Sequence, residues 1–274
     1  MKVKFYGTRG SIPICDQDFQ HFGGNTTCIQ IRSSNADVVG IFDAGTGIRK
    51  LGMDIYKEEE PHTKQFFVVF SHFHWDHIQG FPFFNPAYDP EAEITFVAMG
   101  EDRDITDLKE VLALQMQNLY FPVQLENMGA KFNFLIPDKA TSFFNVTKIT
   151  SIKQKHPGGS YGYRIEREGK ILVVCTDLEH ANGIDENVVN LAKGADLLIH
   201  EAQYTNEELE KYKGWGHSSF EQAIQVAEMA GVKQLAITHH DPNHNDDFLK
   251  KIEKKCQERF QDCVLAREDM EFIL

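Results

Sequence analysis

The chain has 274 residues, of which 42% are hydrophobic and 25% charged, and its formal net charge is −13. That size and composition fit one soluble globular domain, residues 1–274, with a sizeable core. The acidity makes a long nucleic acid a poor partner unless basic residues cluster, but it leaves room for a small phosphate ester met by bound cations. The five cysteines, Cys15, Cys28, Cys175, Cys256 and Cys263, form no CxxC pair, so neither a disulfide framework nor a zinc ribbon is indicated. The opening residues lack the apolar stretch of a secretory signal, and no apolar run is long enough to span a membrane. A cytoplasmic location is the expectation.

In chain order, residues 2–6, 27–32, 38–43 and 66–70 read as short strands separated by Gly, Asn and Asp. Residues 93–98 read as another. Residues 104–118 are helix-compatible, with Ile105, Leu108, Val111, Leu112, Leu114 and Met116 as apolar positions, and a loop with Tyr120, Phe121, Pro122 and Gly129 follows. Gly23-Gly24-Asn25 reads as a turn and Glu58-Glu59-Glu60 as a solvated one. Residues 146–154 and 161–166 are strand-like. Glu168-Gly169-Lys170 turns into the apolar run Ile171–Val174, and residues 196–199 and 234–238 are short buried-type strands. Residues 219–230 form an amphipathic helix, capped by Ser218 or Ser219 and stopped by Gly231. A last helix follows Asp246-Asp247, with Phe248, Ile252, Cys256 and Phe260 toward the core. Strands then helices, twice over, indicate two sheets packed face to face with helices outside.

The chemistry gathers in Ser71-His72-Phe73-His74-Trp75-Asp76-His77, directly after the apolar run Phe66–Phe70. A buried strand ending there delivers the group rigidly. His72 and His74 are two apart and share a face on extended chain. Asp76 and His77 come after the turn and can address a second point. Imidazoles and a carboxylate suit a cation such as Zn²⁺. A polar loop of self-satisfied histidines is the bland alternative, and three His with one Asp at this density argue against it. His156, Asp177 and His239 each follow a strand-like run. Alone, each reads as a turn residue; together with the first cluster, they read as further ligands.

His72-x-His74-x-Asp76-His77, then His156, Asp177 and His239 in that order, resembles the metallo-β-lactamase superfamily over nearly the whole chain. The resemblance implies an α/β fold, a four-layer αββα sandwich with two divalent metal ions at the sheet edges, Zn²⁺ first and Mn²⁺ or Fe²⁺ as alternatives. It implies that His72, His74 and His156 hold one ion and Asp76, His77 and His239 the other, with Asp177 bridging. A Cys at the Asp177 position, common in the lactam-hydrolysing branch, is absent. Gly216-His217-Ser218-Ser219, Gly7-Thr8-Arg9-Gly10-Ser11-Ile12-Pro13, Phe42-Asp43-Ala44-Gly45 and His200-Glu201-Ala202 resemble the ribonuclease Z group and its phosphodiesterase relatives. That likeness makes His217 catalytic, near the scissile phosphate, rather than a plain helix N-terminal residue. Asp76 becomes the ligand that also orients the attacking hydroxide.

The expected function is a dinuclear-metal phosphodiesterase acting on a small, cyclic nucleotide or other cyclic phosphodiester by metal-activated hydroxide. No long Gly/Pro/Lys-rich insertion of the kind that grips tRNA in ribonuclease Z is visible. A tRNA 3′-processing endoribonuclease, a thioester or lactone hydrolase, and a non-enzymatic nucleotide sensor are the alternatives. Tyr120 and Phe121 are candidate substrate contacts, or cover for a partner's site in an expected homodimer, against simple packing of a long loop. His240 is a rival to His239 that would lie behind the ligands or face the substrate. His180, His200 and His244 are candidates to support the ligands from behind.

Overall fold

The computed structural model describes residues 1–32, 38–57, 63–98, 108–136, 140–143, 147–181 and 183–274. Fourteen strands among these residues form two sheets. The first is built from β1 (Lys2–Gly7), β2 (Cys28–Arg32), β3 (Val38–Phe42), β4 (Gln65–Phe70), β5 (Glu93–Ala98) and β6 (Lys131–Leu135), and β14 (Glu271–Ile273) closes its edge in the order β14-β1-β2-β3-β4-β5-β6. The second holds β7 (Ala140–Phe143), β8 (Thr147–Gln154), β9 (Ser160–Arg167), β10 (Lys170–Cys175), β11 (Leu197–Glu201), β12 (Leu235–Thr238) and β13 (Cys263–Leu265), in the order β13-β12-β11-β10-β9-β8-β7.

Three apolar clusters define the layers. Val3, Phe5, Phe42 and Val69 of the first sheet meet Tyr163, Leu172, Val174 and Ile199 of the second, and this contact is the centre of the molecule. On the outer face of the first sheet, Phe66, Val68, Phe70 and Phe96 pack under α1 (Ile48–Ile55), α3 (Leu108–Gln115) and the aromatic turn holding Phe81 and Phe84. On the outer face of the second, Val173, Leu198 and Ile237 pack under α4 (Glu186–Ala192), α6 (Phe220–Ala230) and α7 (Asp246–Arg259). Alternation along each strand sends successive side chains to the inner and outer clusters, as the apolar runs require. The expected four-layer αββα sandwich is the observed fold.

Several expected elements are found with shifted ends: the strand expected at 161–166 runs Ser160–Arg167, and the helix expected at 219–230 runs Phe220–Ala230. Ser219 is the residue that caps the latter, in a reciprocal pair with Gln222, and Gly231 ends it at a φ of 62°. In α7, Ile252 and Cys256 are buried, whereas Phe248 and Phe260 are half-buried against the same core. The helix expected at 104–118 is described from Leu108 to Gln115; residues 104–107 and Glu58-Glu59-Glu60 lie outside the described residues.

In the first sheet β3, β4, β5 and β6 run parallel, and in the second β10, β11, β12 and β13 do. The short helix α2 (Trp75–Ile78) follows β4 after the four residues Ser71–His74. The sheets are pinned together at that point. The Tyr163 hydroxyl donates to the Phe70 carbonyl (2.7 Å), and the Tyr161 N–H donates to the Ser71 carbonyl (3.1 Å). Both bonds come from β9 and hold the end of β4 against the second sheet. Tyr163→Phe removes one of them from a buried site. It is expected to lower stability by about 1–2 kcal/mol in urea unfolding; an unchanged midpoint would contradict the pinning role.

Candidate active site

The sequence-expected ligands converge at the C-terminal ends of these strands. His72 follows β4, His156 follows β8, Asp177 follows β10 and His239 follows β12, and Asp43, outside the expected set, follows β3. Three of these strand-end residues have left-handed backbones: Asp43 (φ 57°), Asp177 (φ 59°) and His239 (φ 62°), with Ser11 (φ 65°) beside them. Such conformations are unfavourable for residues with a side chain and concentrate at functional sites.

Four overlapping groups of ligand-type atoms, each mutually within 4.8 Å, tile the cluster: His72/His74/His156, His72/His77/Asp177, Asp76/His77/His239 and His156/Asp177/His217. Asp177 touches both halves. Its Oδ1 lies 3.8 Å from Nε2 of His72 and of His156 and 3.3 Å from Nε2 of His239, and its Oδ2 lies 3.3 Å from Nε2 of His77.

The tautomers follow from the outer partners. His77 Nδ1 donates to Asp43 Oδ2 (2.7 Å), and Ser71 donates to Asp43 through its N–H and its hydroxyl, each at 2.8 Å. His156 Nδ1 donates to the Gly216 carbonyl (2.9 Å), which leaves its Nε2 as the lone-pair nitrogen, 3.1 Å from His74 Nδ1. A Cβ on Gly216 would fall 2.3 Å from that His156 ring, so glycine is required there. Nε2 of His72, His77 and His239 are buried without a hydrogen-bond partner. A lone pair facing a carboxylate is repelled unless a cation stands between them. Without a metal, a proton takes that place. Burial works against a charged His77, but Asp76, Asp177 and Asp43 hold its pKa well above the usual histidine value. Burial likewise opposes charge on Asp76, yet His77 and His239 hold its carboxyl below the usual range. His72 is pushed well below the ordinary value by burial and by His77, and His156 is pushed down to about 4 mainly by burial. The neutral imidazoles of His72 and His156, with His77 giving up its proton to a metal, beside anionic carboxylates make a donor set that fits divalent cations.

Residues beyond the expected set hold this arrangement. Arg9 is wholly buried, and its guanidinium donates to the carbonyls of Gly23 (2.8 Å), Asp241 (3.0 Å) and His244 (2.8 Å). The loop it anchors carries Ser11, whose N–H donates to Asp76 Oδ2 (2.9 Å). Gly10 on the same loop lies so close to His239 that a Cβ would come within 2.6 Å of the ring. His217 sits over the centre of the cluster, stacked on His239 (centroids 5.3 Å apart) and edge-on to His156 (5.4 Å). Its Nδ1 is 3.6 Å from Glu201 Oε1, within ion-pairing range though not hydrogen-bonded. Burial disfavours its charge, but Glu201, Asp177 and Asp76 raise its pKa above the usual value. Glu201 is itself held by N–H donors of Ser218 (2.7 Å) and Leu178 (3.2 Å). Asp43 and Glu201 both close apolar strand runs, the signal that singled out Asp177.

Other expected contacts lie apart from this cluster. His240 is fully buried, donates from Nε2 to the Ala266 carbonyl (2.7 Å) and meets Phe22 edge-on, so it faces away from any substrate. The left-handed turn at His239 sends the two neighbouring histidines in different directions. Tyr120 is exposed, whereas Phe121 packs on the outer core of the first sheet, edge-on to Phe83. His180 and His200 stack on one another (5.6 Å), and His244 bonds Glu208 (2.9 Å).

A model of the beta-lactamase superfamily domain matches residues 41–240, from within β3 to just past the strand-end histidine His239. Ribonuclease BN of Citrobacter koseri is 24% identical over 316 aligned residues, which cover 98% of both chains. The crystal structure of the metallo-beta-lactamase fold protein YhfI from Bacillus subtilis superposes with a TM-score of 0.72 at 22% identity, covering 99% of this chain and 98% of that one. Human tRNase Z, short form, superposes with a TM-score of 0.70 at 18% identity, covering 100% and 98%. Fold and site together define a metal-dependent hydrolase. The chain belongs to the beta-lactamase superfamily.

Asp43 accepts the His77 proton that sets the tautomer. Asp43→Asn keeps a side chain that tolerates the left-handed backbone but removes the charge. Metal affinity is expected to fall about 10-fold or more, read by competition with a chromophoric chelator; wild-type affinity would contradict the orienting role.

Proposed function

We propose that the chain hydrolyses phosphodiester bonds of RNA or of nucleotides, with two divalent cations held by His72, His74 and His156 and by Asp76, His77 and His239, and with Asp177 between them. Zinc is the first candidate for both. When bound, such ions supply Lewis acidity and offset the negative charge that grows on the phosphoryl oxygens. The observation that carries the reading is the pair His217–Glu201, aimed into the cluster from the second sheet. Cleavage of P–O leaves an alkoxide that must be protonated, and a histidine beside a carboxylate is suited to supply that proton. Glu201 favours the protonated form of His217, and His217 delivers that proton to the leaving oxygen. Asp76, oriented by the Ser11 N–H, orients the attacking water.

The names of the relatives, Ribonuclease BN and tRNase Z, favour the 3′ end of a precursor tRNA as substrate. Two observations favour the second reading, a small cyclic phosphodiester. The chain carries a net charge of −13. The alignment with Ribonuclease BN runs over 316 residues against 274 here, so that relative holds segments without a counterpart in this chain. Precursor tRNA, cyclic mononucleotides and cyclic dinucleotides, each assayed with defined metals, separate the two readings. Cleavage of none of them would sink the proposal.

His217→Ala is expected to lower kcat by about 10²–10⁴-fold with metal content unchanged. Elemental analysis beside the kinetics checks this; parallel loss of metal would mean that His217 is a ligand or a structural residue.

A further inference from the structure

The chain has two tryptophans, Trp75 and Trp215. Tryptophan is highly buried on average in folded proteins. Here the two are 79% and 61% exposed. Both are chain neighbours of residues that belong to the metal cluster or hold it. Trp75 lies between His74 and Asp76, at the first residue of α2. Trp215 precedes Gly216, whose carbonyl takes the His156 proton, and lies two residues before His217.

Trp215 is presented rather than left loose. The Glu179 carboxylate accepts from the N–H groups of Gly214 (2.8 Å) and Gly216 (3.1 Å), the residues on either side of it. Behind it runs an aromatic column: Trp215 meets Tyr212 edge-on (5.2 Å), Tyr212 stacks on Tyr204 (4.7 Å), and Tyr204 meets His217 edge-on (6.0 Å). An exposed indole held by its own loop and continuous with His217 is a surface built to receive something flat.

The charge at the mouth narrows what that is. Lys155, beside His156, is 3.8 Å from Glu179, and Lys213 pairs with Glu210 at 2.6 Å, so these flanking cations are already matched by carboxylates. A rim that gripped successive phosphates would keep its cations free for them. A rim of indoles beside a phosphate-directed centre instead suits the nucleobase attached to the scissile phosphate, because every base offers a π-face.

From these contacts we infer that Trp75 and Trp215 form a base-stacking clamp at the mouth of the site, so that the substrate is a nucleotide ester recognised through the base next to the cleaved bond. This deepens the phosphodiesterase reading and rests on it. The occupant is a nucleobase, not a second copy of the chain.

Because the chain has no other tryptophan, its fluorescence under excitation that only tryptophan absorbs reports on these two residues alone. The zinc-loaded protein and its single-tryptophan variants Trp75→Phe and Trp215→Phe are titrated with adenosine 5′-monophosphate and with ribose 5-phosphate. Saturable quenching of each remaining tryptophan by the nucleotide, and none by the sugar phosphate, is the expected result. Trp215→Ala is then expected to raise the Kd for the nucleotide about 10-fold. Equal quenching by ribose 5-phosphate would overturn the clamp. So would emission that shifts on dilution of the protein but ignores the nucleotide, which assigns the rim to a second copy. Cleavage of a nucleotide ester with both tryptophans silent overturns the clamp and leaves the phosphodiesterase reading standing. Silent tryptophans with no phosphodiester cleaved overturn both.

Discussion

The mutual repulsion of buried lone pairs and carboxylates is the constraint around which this molecule is arranged. Asp76, Asp177, His72, His77 and His239 are all buried, and the carboxylate oxygens lie 3.1–3.8 Å from the imidazole Nε2 atoms that face them. Only protons or cations can hold such a group together. The fold opposes the repulsion with rigid strand ends. It sets Asp43, Asp177 and His239 in left-handed conformations, a local cost that the packed sheets behind them carry.

The supports extend outward in the same sense. Asp43 orients His77, the Gly216 carbonyl orients His156, and the Ser11 N–H orients Asp76. Each support comes from a segment distant in sequence from the residue it serves, so the two sheets must be assembled before the site exists. Arg9 ties together the loops around Gly23, Asp241 and His244, and its three hydrogen bonds to carbonyls replace the carboxylate partner that a buried guanidinium usually has. Net acidity and cation binding are consistent with one another here: the chain carries −13 overall, and the centre it builds is one that positive ions complete.

Much of this was legible before any coordinates. The apolar runs Phe66–Phe70 and Ile171–Val174 are buried strands, and the ligand-type residues at their ends lie together. Strand ends could be read because burial on both faces leaves a continuous apolar run that stops abruptly at polar residues. What escaped were contributions with no local signature. β13 and β14 are three residues each, and pairing across the sheet edge, rather than their own pattern, makes them strands. The roles of Glu179 and of the Ser11 N–H depend on contacts 37 and 65 residues away. For His240 the sequence leaves two directions open, behind the ligands or toward the substrate, and with a left-handed backbone at His239 its side chain turns toward Ala266. Direction is equally open for the 120–121 pair: Phe121 joins the outer core while Tyr120 beside it stays in solvent.

The central claim is that one chain holds two metal ions in a single cluster of these imidazoles and carboxylates. Anomalous diffraction from a crystal of the zinc-loaded protein tests it directly. The account predicts two anomalous peaks per chain, one among His72, His74 and His156 and one among Asp76, His77 and His239, with Asp177 between them. A single peak, or peaks away from these residues, would contradict it.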